Sequence, residues 1–134
     1  MALLIGVILA LVLAIFATVV GFDRDRSFYA TVLAVIALLY GLFGAISGST
    51  ATLLQEGIGI IAFLLLAVLG FKINQWILVA GLAAHGIYDF FHGDLIQDSG
   101  VPAWWPMFCL SYDVTAAAYL AWLLRRRRPP AQPT

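Results

Sequence analysis

Arginine and lysine are missing from two long stretches of this chain, residues 27–71 and 73–124, and all seven cationic side chains lie outside them: Arg24, Arg26, Lys72 and Arg125 to Arg128. Only 10% of the 134 residues are charged. So few charges, with seven acids offsetting seven bases, exclude a basic nucleic-acid-binding surface. Cysteine is represented once, at Cys109, which excludes an intramolecular disulfide. Its expected role is that of a small core or lipid-facing hydrophobe. No positive charge precedes the first apolar run, which argues against a secretory signal and for a retained helix whose start is outside.

What remains is 63% hydrophobic, with a mean hydropathy of +1.02. That composition is too apolar for a soluble domain, and the chain is too short for more than one membrane domain. Crossing about 30 Å of hydrocarbon takes roughly 20 apolar residues at 1.5 Å each. The expected fold is therefore all-α, a transmembrane bundle of five spans over about 2–22, 28–47, 53–71, 76–91 and 104–124. Residues 1–124 form the single domain, and 125–134 are a basic, Pro-rich tail. Gly48 to Thr52 make a polar turn between the second and third spans, and Asn74 is a helix cap before the fourth. Gly93, Gly100 and Pro102 break the chain across a loop from His92 to Ala103.

An odd number of spans puts the termini on opposite sides. The positive-inside bias assigns Arg125 to Arg128 to the cytoplasm and the amino terminus to the outside. The loops holding Arg24, Arg26 and Lys72 then also fall inside, and the outer loops carry no cation. This is the pattern of a multi-pass plasma (inner) membrane protein whose immediate partner is the lipid bilayer. Trp104 and Trp105 belong at the outer interface, Trp76 and Trp122 at the inner one.

Orientation supplies depth. Glu56 lies about one turn inside the third span, His85 roughly 9 Å and Asp89 roughly 3 Å below the outer end of the fourth, and Asp113 roughly 10 to 13 Å into the fifth. His85, Asp89 and His92, at i, i+4 and i+7, fall within about 60° of one helix face, and Gly81 and Tyr88 extend that stripe. Ile87, Phe90 and Phe91 point elsewhere. Buried charge costs roughly 2.5 to 3.5 kcal/mol at the bilayer centre, so this face should turn inward.

Three carboxylates, Glu56, Asp89 and Asp113, have no lysine or arginine near them in the membrane, so they need protons, the two histidines or a bound cation. A divalent metal would neutralise much of their charge, and a His and carboxylate donor set suits zinc or an iron-group ion better than calcium or magnesium. The expected centre of the site is Asp89, with His85 as the preferred histidine ligand and Glu56 and Asp113 contributing from neighbouring helices. His92 completes the set as a ligand or, since about 10.5 Å of helix rise separates it from His85, as a gate. In a metal-dependent hydrolase of a lipid-like substrate, Glu56 or Asp113 would be the general base, with Tyr88, Tyr112 and Ser111 around the substrate.

Simpler alternatives stand beside each of these. Glu56 could snorkel to the surface or cap its helix, and His92, Asp94 and Asp98 could be solvated loop residues. Asp113 could be a neutral acid bonded to Tyr88 or Tyr40 across helices. At the level of function, the alternatives are a proton- or cation-coupled transporter or channel subunit and a non-enzymatic assembly subunit. Gly41, Gly44 and Gly48 line one side of the second span and suit close helix contact, within the chain or in a homodimer.

The stretch from His85 to Tyr119, with Val101-Pro-Ala-Trp-Trp-Pro and then Tyr112-Asp113-Val114-Thr115-Ala116, resembles small bacterial integral membrane proteins of unknown function. The site chemistry is also similar to that of seven-helix membrane hydrolases of the ceramidase and progestin-receptor type. That likeness implies zinc held by histidines and an aspartate within the membrane, although helix count and histidine spacing differ here.

Overall fold

The computed structural model describes residues 1–24 and 27–126. Arg26, Arg127, Arg128 and the Pro-rich segment of the expected tail lie outside the described residues. Among those described, five α-helices and one short 3-10 turn account for the chain: α1 (Ala2–Val20), the turn (Phe22–Arg24), α2 (Ser27–Ser47), α3 (Thr50–Lys72), α4 (Trp76–Leu95) and α5 (Trp105–Arg126). The fold is all-α. Long helices are what an apolar chain of this kind must form, because hydrocarbon offers no partner to a free backbone N–H or C=O. Helices α1, α2, α3 and α5 are long and apolar enough to cross a membrane. Helix α4 is as long as α1 but less apolar, since its buried face carries His85, Asp89 and His92.

The helix ends follow local chemistry. Gly21, at φ 100°, closes α1 with its N–H bonded to the Ala17 carbonyl, a left-handed cap that glycine adopts without strain. Gly48, at φ 73°, does the same after α2. Ser49 then caps α3 by accepting from the Thr52 N–H at 3.2 Å, so the polar turn expected over residues 48–52 collapses to two residues and α3 begins at Thr50. Asn74 accepts from the Trp76 N–H at 2.9 Å, as anticipated. At the other end of α4 the expected boundary moves. Gly93 does not break the helix, which runs on to Leu95 and takes His92 out of the loop. Helix α5 likewise continues two residues past Leu124, and Arg126 lies 5.2 Å from the Trp122 ring centre.

Helix α1 packs on α5, α5 on α4, α4 on α3 and α3 on α2, and α4 also touches α2. Consecutive though they are, α1 and α2 barely meet, so the bundle is an arc around α4 that is open between α1 and α2. Close packing is set by small residues. Gly6, Ala10, Ala14 and Ala17 recur along one buried side of α1, the small-residue spacing that brings membrane helices together. The glycines of α2 serve the same end within the chain: side chains added at Gly41 and Gly44 would meet Ile60 at 3.1 Å and Leu53 at 3.2 Å on α3.

The two halves of the bundle are filled differently. Near the Lys72 end the core is mainly aliphatic, with Leu33, Leu78, Leu82, Leu120 and Leu123 buried together beside Tyr29. Toward the opposite end, Tyr40, Phe43, Trp105 and Cys109 form a second cluster, and the ionisable side chains lie beside it. Trp105 turns inward against Phe43, with ring centres 4.8 Å apart, whereas Trp76, Trp104 and Trp122 are exposed.

Candidate metal centre

The side of α4 opposite Ile87, Phe90 and Phe91 is buried, and it presents His85, Asp89 and His92 to the interior, as their spacing requires. Helix α5 runs alongside, placing Asp113 against the middle of α4. A side chain added at Gly86 would already touch the Asp113 Cβ at 3.3 Å. The His85 Nδ1 lies 2.8 Å from Asp113 Oδ2 and 3.2 Å from Asp89 Oδ2. All three side chains are fully buried, and their three ligating atoms lie within 4.8 Å of one another. Donors around a four-coordinate zinc sit roughly 3.3 to 3.6 Å apart. The two distances from His85 Nδ1 fall within about half an ångström of that range, while the group as a whole spans up to 4.8 Å. A buried His/Asp/Asp group that can hold a metal ion is the chemical core of this structure.

The electrostatics of this group are unusual. Every ion pair in the cluster is with a histidine. One imidazole nitrogen carries at most one hydrogen, yet His85 Nδ1 faces two carboxylates, so it can satisfy only one of them as a donor. Asp113 Oδ1 and His85 Nε2 are themselves buried without a hydrogen-bond partner among the described residues. Tyr40, from α2, donates to the far oxygen of Asp89, Oδ1. Phe63 closes one side of the His85 ring, edge to face at 4.5 Å.

Glu56 and His92 form a separate pair nearer the end of the bundle away from Lys72. His92 Nε2 sits 2.8 Å from both Glu56 oxygens, with Glu56 fully buried and His92 2% exposed. Tyr40 joins the two groups, since its ring stacks on His92 at 4.2 Å while its hydroxyl reaches Asp89. Glu56 thus neither snorkels nor caps α3; Ser49 does the capping. His92 is a buried helical residue and not a solvated loop residue, whereas Asp94 is exposed, as a surface residue would be.

Of the expected site residues, the structure brings His85, Asp89 and Asp113 together and holds His92 and Glu56 one aromatic ring away, in agreement with the helix rise that separates the histidines. Tyr88 is close to both histidines, at 5.9 and 5.5 Å between ring centres, and its hydroxyl fits against Gly59. Ser111 and Tyr112 are elsewhere. The Ser111 hydroxyl donates to the Phe108 carbonyl of its own helix and packs on Gly6, while Tyr112 stacks on Phe108. Both sit on faces of α5 turned away from Asp113, as a step of one or two residues along a helix dictates. Tyr40 is the partner that the sequence placed on the wrong acid: it bonds Asp89 and not Asp113.

Replacing Tyr40 with phenylalanine should leave Asp89 Oδ1 without its donor at almost unchanged volume. The expected cost is about 1–2 kcal/mol, read as a lower midpoint of unfolding in a denaturing detergent titration. An unchanged midpoint would show that this bond contributes nothing.

No protein-family model, no curated protein and no solved structure matches this chain.

Proposed function

We propose that the chain is a small multi-pass protein of the plasma membrane whose α4 and α5 hold a divalent cation of the zinc class through His85 Nδ1, Asp89 and Asp113, in the bundle half away from Lys72 and the terminal arginines. The observation that carries this is the meeting of one imidazole nitrogen with two carboxylates, all fully buried and within ligand spacing. A dication between them would answer both carboxylates and the nitrogen at once, where a single proton answers two of the three. Nitrogen with carboxylate oxygen suits zinc or iron-group ions better than calcium or magnesium.

The remaining groups have supporting roles. Tyr40 orients Asp89 by donating to the oxygen that faces away from His85. The Glu56–His92 pair lies across the Tyr40 ring and closes the outer side of the site. In this assignment the amino terminus is outside, and the Arg24, Lys72 and Arg125 end is cytoplasmic, as the positive-inside bias requires. Helix α4 spans as the centre of the arc, its polar face shielded by α2, α3 and α5. Hydrolysis of a lipid-like substrate draws less support. Of its two expected bases, Glu56 is engaged by His92 and Asp113 by His85, and neither apolar groove beside α2 is lined by His85, Asp89 or Asp113.

Elemental analysis of protein purified without added metal tests the assignment. One zinc-class ion per chain is expected in the wild type and less than about a tenth of that in Asp89→Ala. Equal, near-zero content in both would leave a hydrogen-bonded lock between α4 and α5, in which the same residues share protons and only join helices.

A further inference from the structure

The connection from α4 to α5, residues 96–104, folds back over the end of the bundle away from Lys72. Two contacts fix where it lies. The Thr52 hydroxyl, in the first turn of α3, donates to the Gln97 carbonyl at 3.3 Å. A Cβ at Gly100 would lie 2.0 Å from the Phe43 carbonyl oxygen of α2. The segment 97–100 therefore bridges α2 and α3. Glu56 lies in the gap that it crosses, one turn beyond Thr52 on the same buried face of α3. Its Cγ is 3.5 Å from where a Cβ at Gly44, the residue after Phe43, would be.

Asp98 stands at the middle of the bridge. Its Oδ1 accepts from the Gly100 N–H at 2.9 Å, which bends the chain back toward α2. Its other oxygen, Oδ2, is buried with no donor facing it among the described residues, and the carboxyl stands against that of Glu56. Two carboxyl groups thus meet with acceptors alone.

None of the surrounding groups supplies the missing hydrogen. From α4, His92 Nε2 carries at most one hydrogen and already faces both Glu56 oxygens, while Tyr88 directs its hydroxyl at Gly59 and Asp94 is exposed. From α2, Tyr40 donates to Asp89. From α5, Asp113 is engaged by His85. No lysine or arginine occurs between residues 73 and 124. Two carboxylates in contact repel each other when both are ionised, whereas one hydrogen shared between them makes the contact a strong bond.

We propose that residues 96–104 form a proton-held lid: a hydrogen shared by Asp98 and Glu56 closes the segment over the Glu56–His92 pair, and its loss opens that end of the bundle to water. Asp98 is the moving partner, because it is half-buried on a connecting segment while Glu56 is fixed within α3. Opening releases one proton. Closure is therefore complete in acid and weakens as pH rises, by about tenfold per unit across the titrating range. The lid needs no metal, and the Tyr40 ring separates it from Asp89.

Hydrogen–deuterium exchange of the full chain in nanodiscs tests it, read as protection over intrinsic rates in the peptide that holds the Gly100 and Val101 N–H groups. Protection should fall about tenfold per pH unit in wild type, metal-loaded and chelator-treated alike, while peptides from the middle of α2 keep theirs. Asp98→Asn retains the acceptor for Gly100 and brings an N–H of its own to Glu56, so its lid should stay protected at every pH. Glu56→Gln donates from the other side and should behave the same way. Wild-type protection that does not change with pH would overturn the proposal. So would a loss of protection in Asp98→Asn and Glu56→Gln as steep as in wild type.

Discussion

Asp113→Asn should lower the affinity for a zinc-class ion on the order of a thousandfold while leaving the protein folded. Asparagine keeps the shape of the side chain and an acceptor oxygen, so packing against Gly86 and a hydrogen bond to His85 can persist. What is lost is one negative donor of three. Protein zinc sites bind with roughly 10–16 kcal/mol in all, and one donor's share of that is several kcal/mol, which gives the thousandfold figure. Competition with a chromogenic chelator measures it directly. The substitution also removes a buried charge that is costly without its cation, so the metal-free variant should unfold no earlier than metal-free wild type. Unchanged affinity would take Asp113 out of the ligand set. A lost fold together with lost affinity would mark the residue as structural.

The second large effect concerns the bundle itself. A Cβ at Gly6 would lie 2.0 Å from the Ser111 hydroxyl oxygen and 2.4 Å from the Phe108 carbonyl oxygen. The serine can rotate, but a helix carbonyl cannot retreat without moving α5. Gly6→Val must therefore separate α1 from α5, at a cost of at least 1–3 kcal/mol, about what overpacking a tight contact costs. Gly57 is the internal control, because a side chain there meets nothing within 4 Å. Gly57→Ala should unfold like wild type in a denaturing detergent titration, or slightly later given alanine's better helix propensity. Equal midpoints for Gly6→Val and Gly57→Ala would show that α1 is not held against α5 as described.

Much of this architecture is legible in the sequence because in a bilayer the rules are few. Apolar runs of sufficient length gave the helices, and the breaks at Asp23, Gly48 and Asn74 fell where the chain turns. Helix periodicity alone put His85, Asp89 and His92 on one buried face. What the sequence left open was lateral geometry. Depth along each helix placed Glu56, Asp89 and Asp113 at overlapping levels, but only the arc of helices decides that Asp113 meets His85 while Glu56 meets His92. The end of α4 was misplaced because Gly93 was taken as a breaker, whereas the bond from His92 to Glu56 anchors the last turn. Small residues were noticed on α2 but not on α1, where Gly6, Ala10, Ala14 and Ala17 are hidden in a uniformly apolar run. The groove between α1 and α2 was invisible for a related reason: short connections usually join packed neighbours, and these two are not packed.

The central claim is that a cation sits among His85, Asp89 and Asp113, and anomalous scattering on crystals of protein purified without added metal tests it most directly. Data collected on either side of the zinc edge should give one strong peak per chain, about 2 Å from His85 Nδ1 and from an oxygen of each aspartate. Ordered density for the three side chains in direct hydrogen-bonding contact, with no anomalous peak between them at the zinc or iron-group edges, would contradict it.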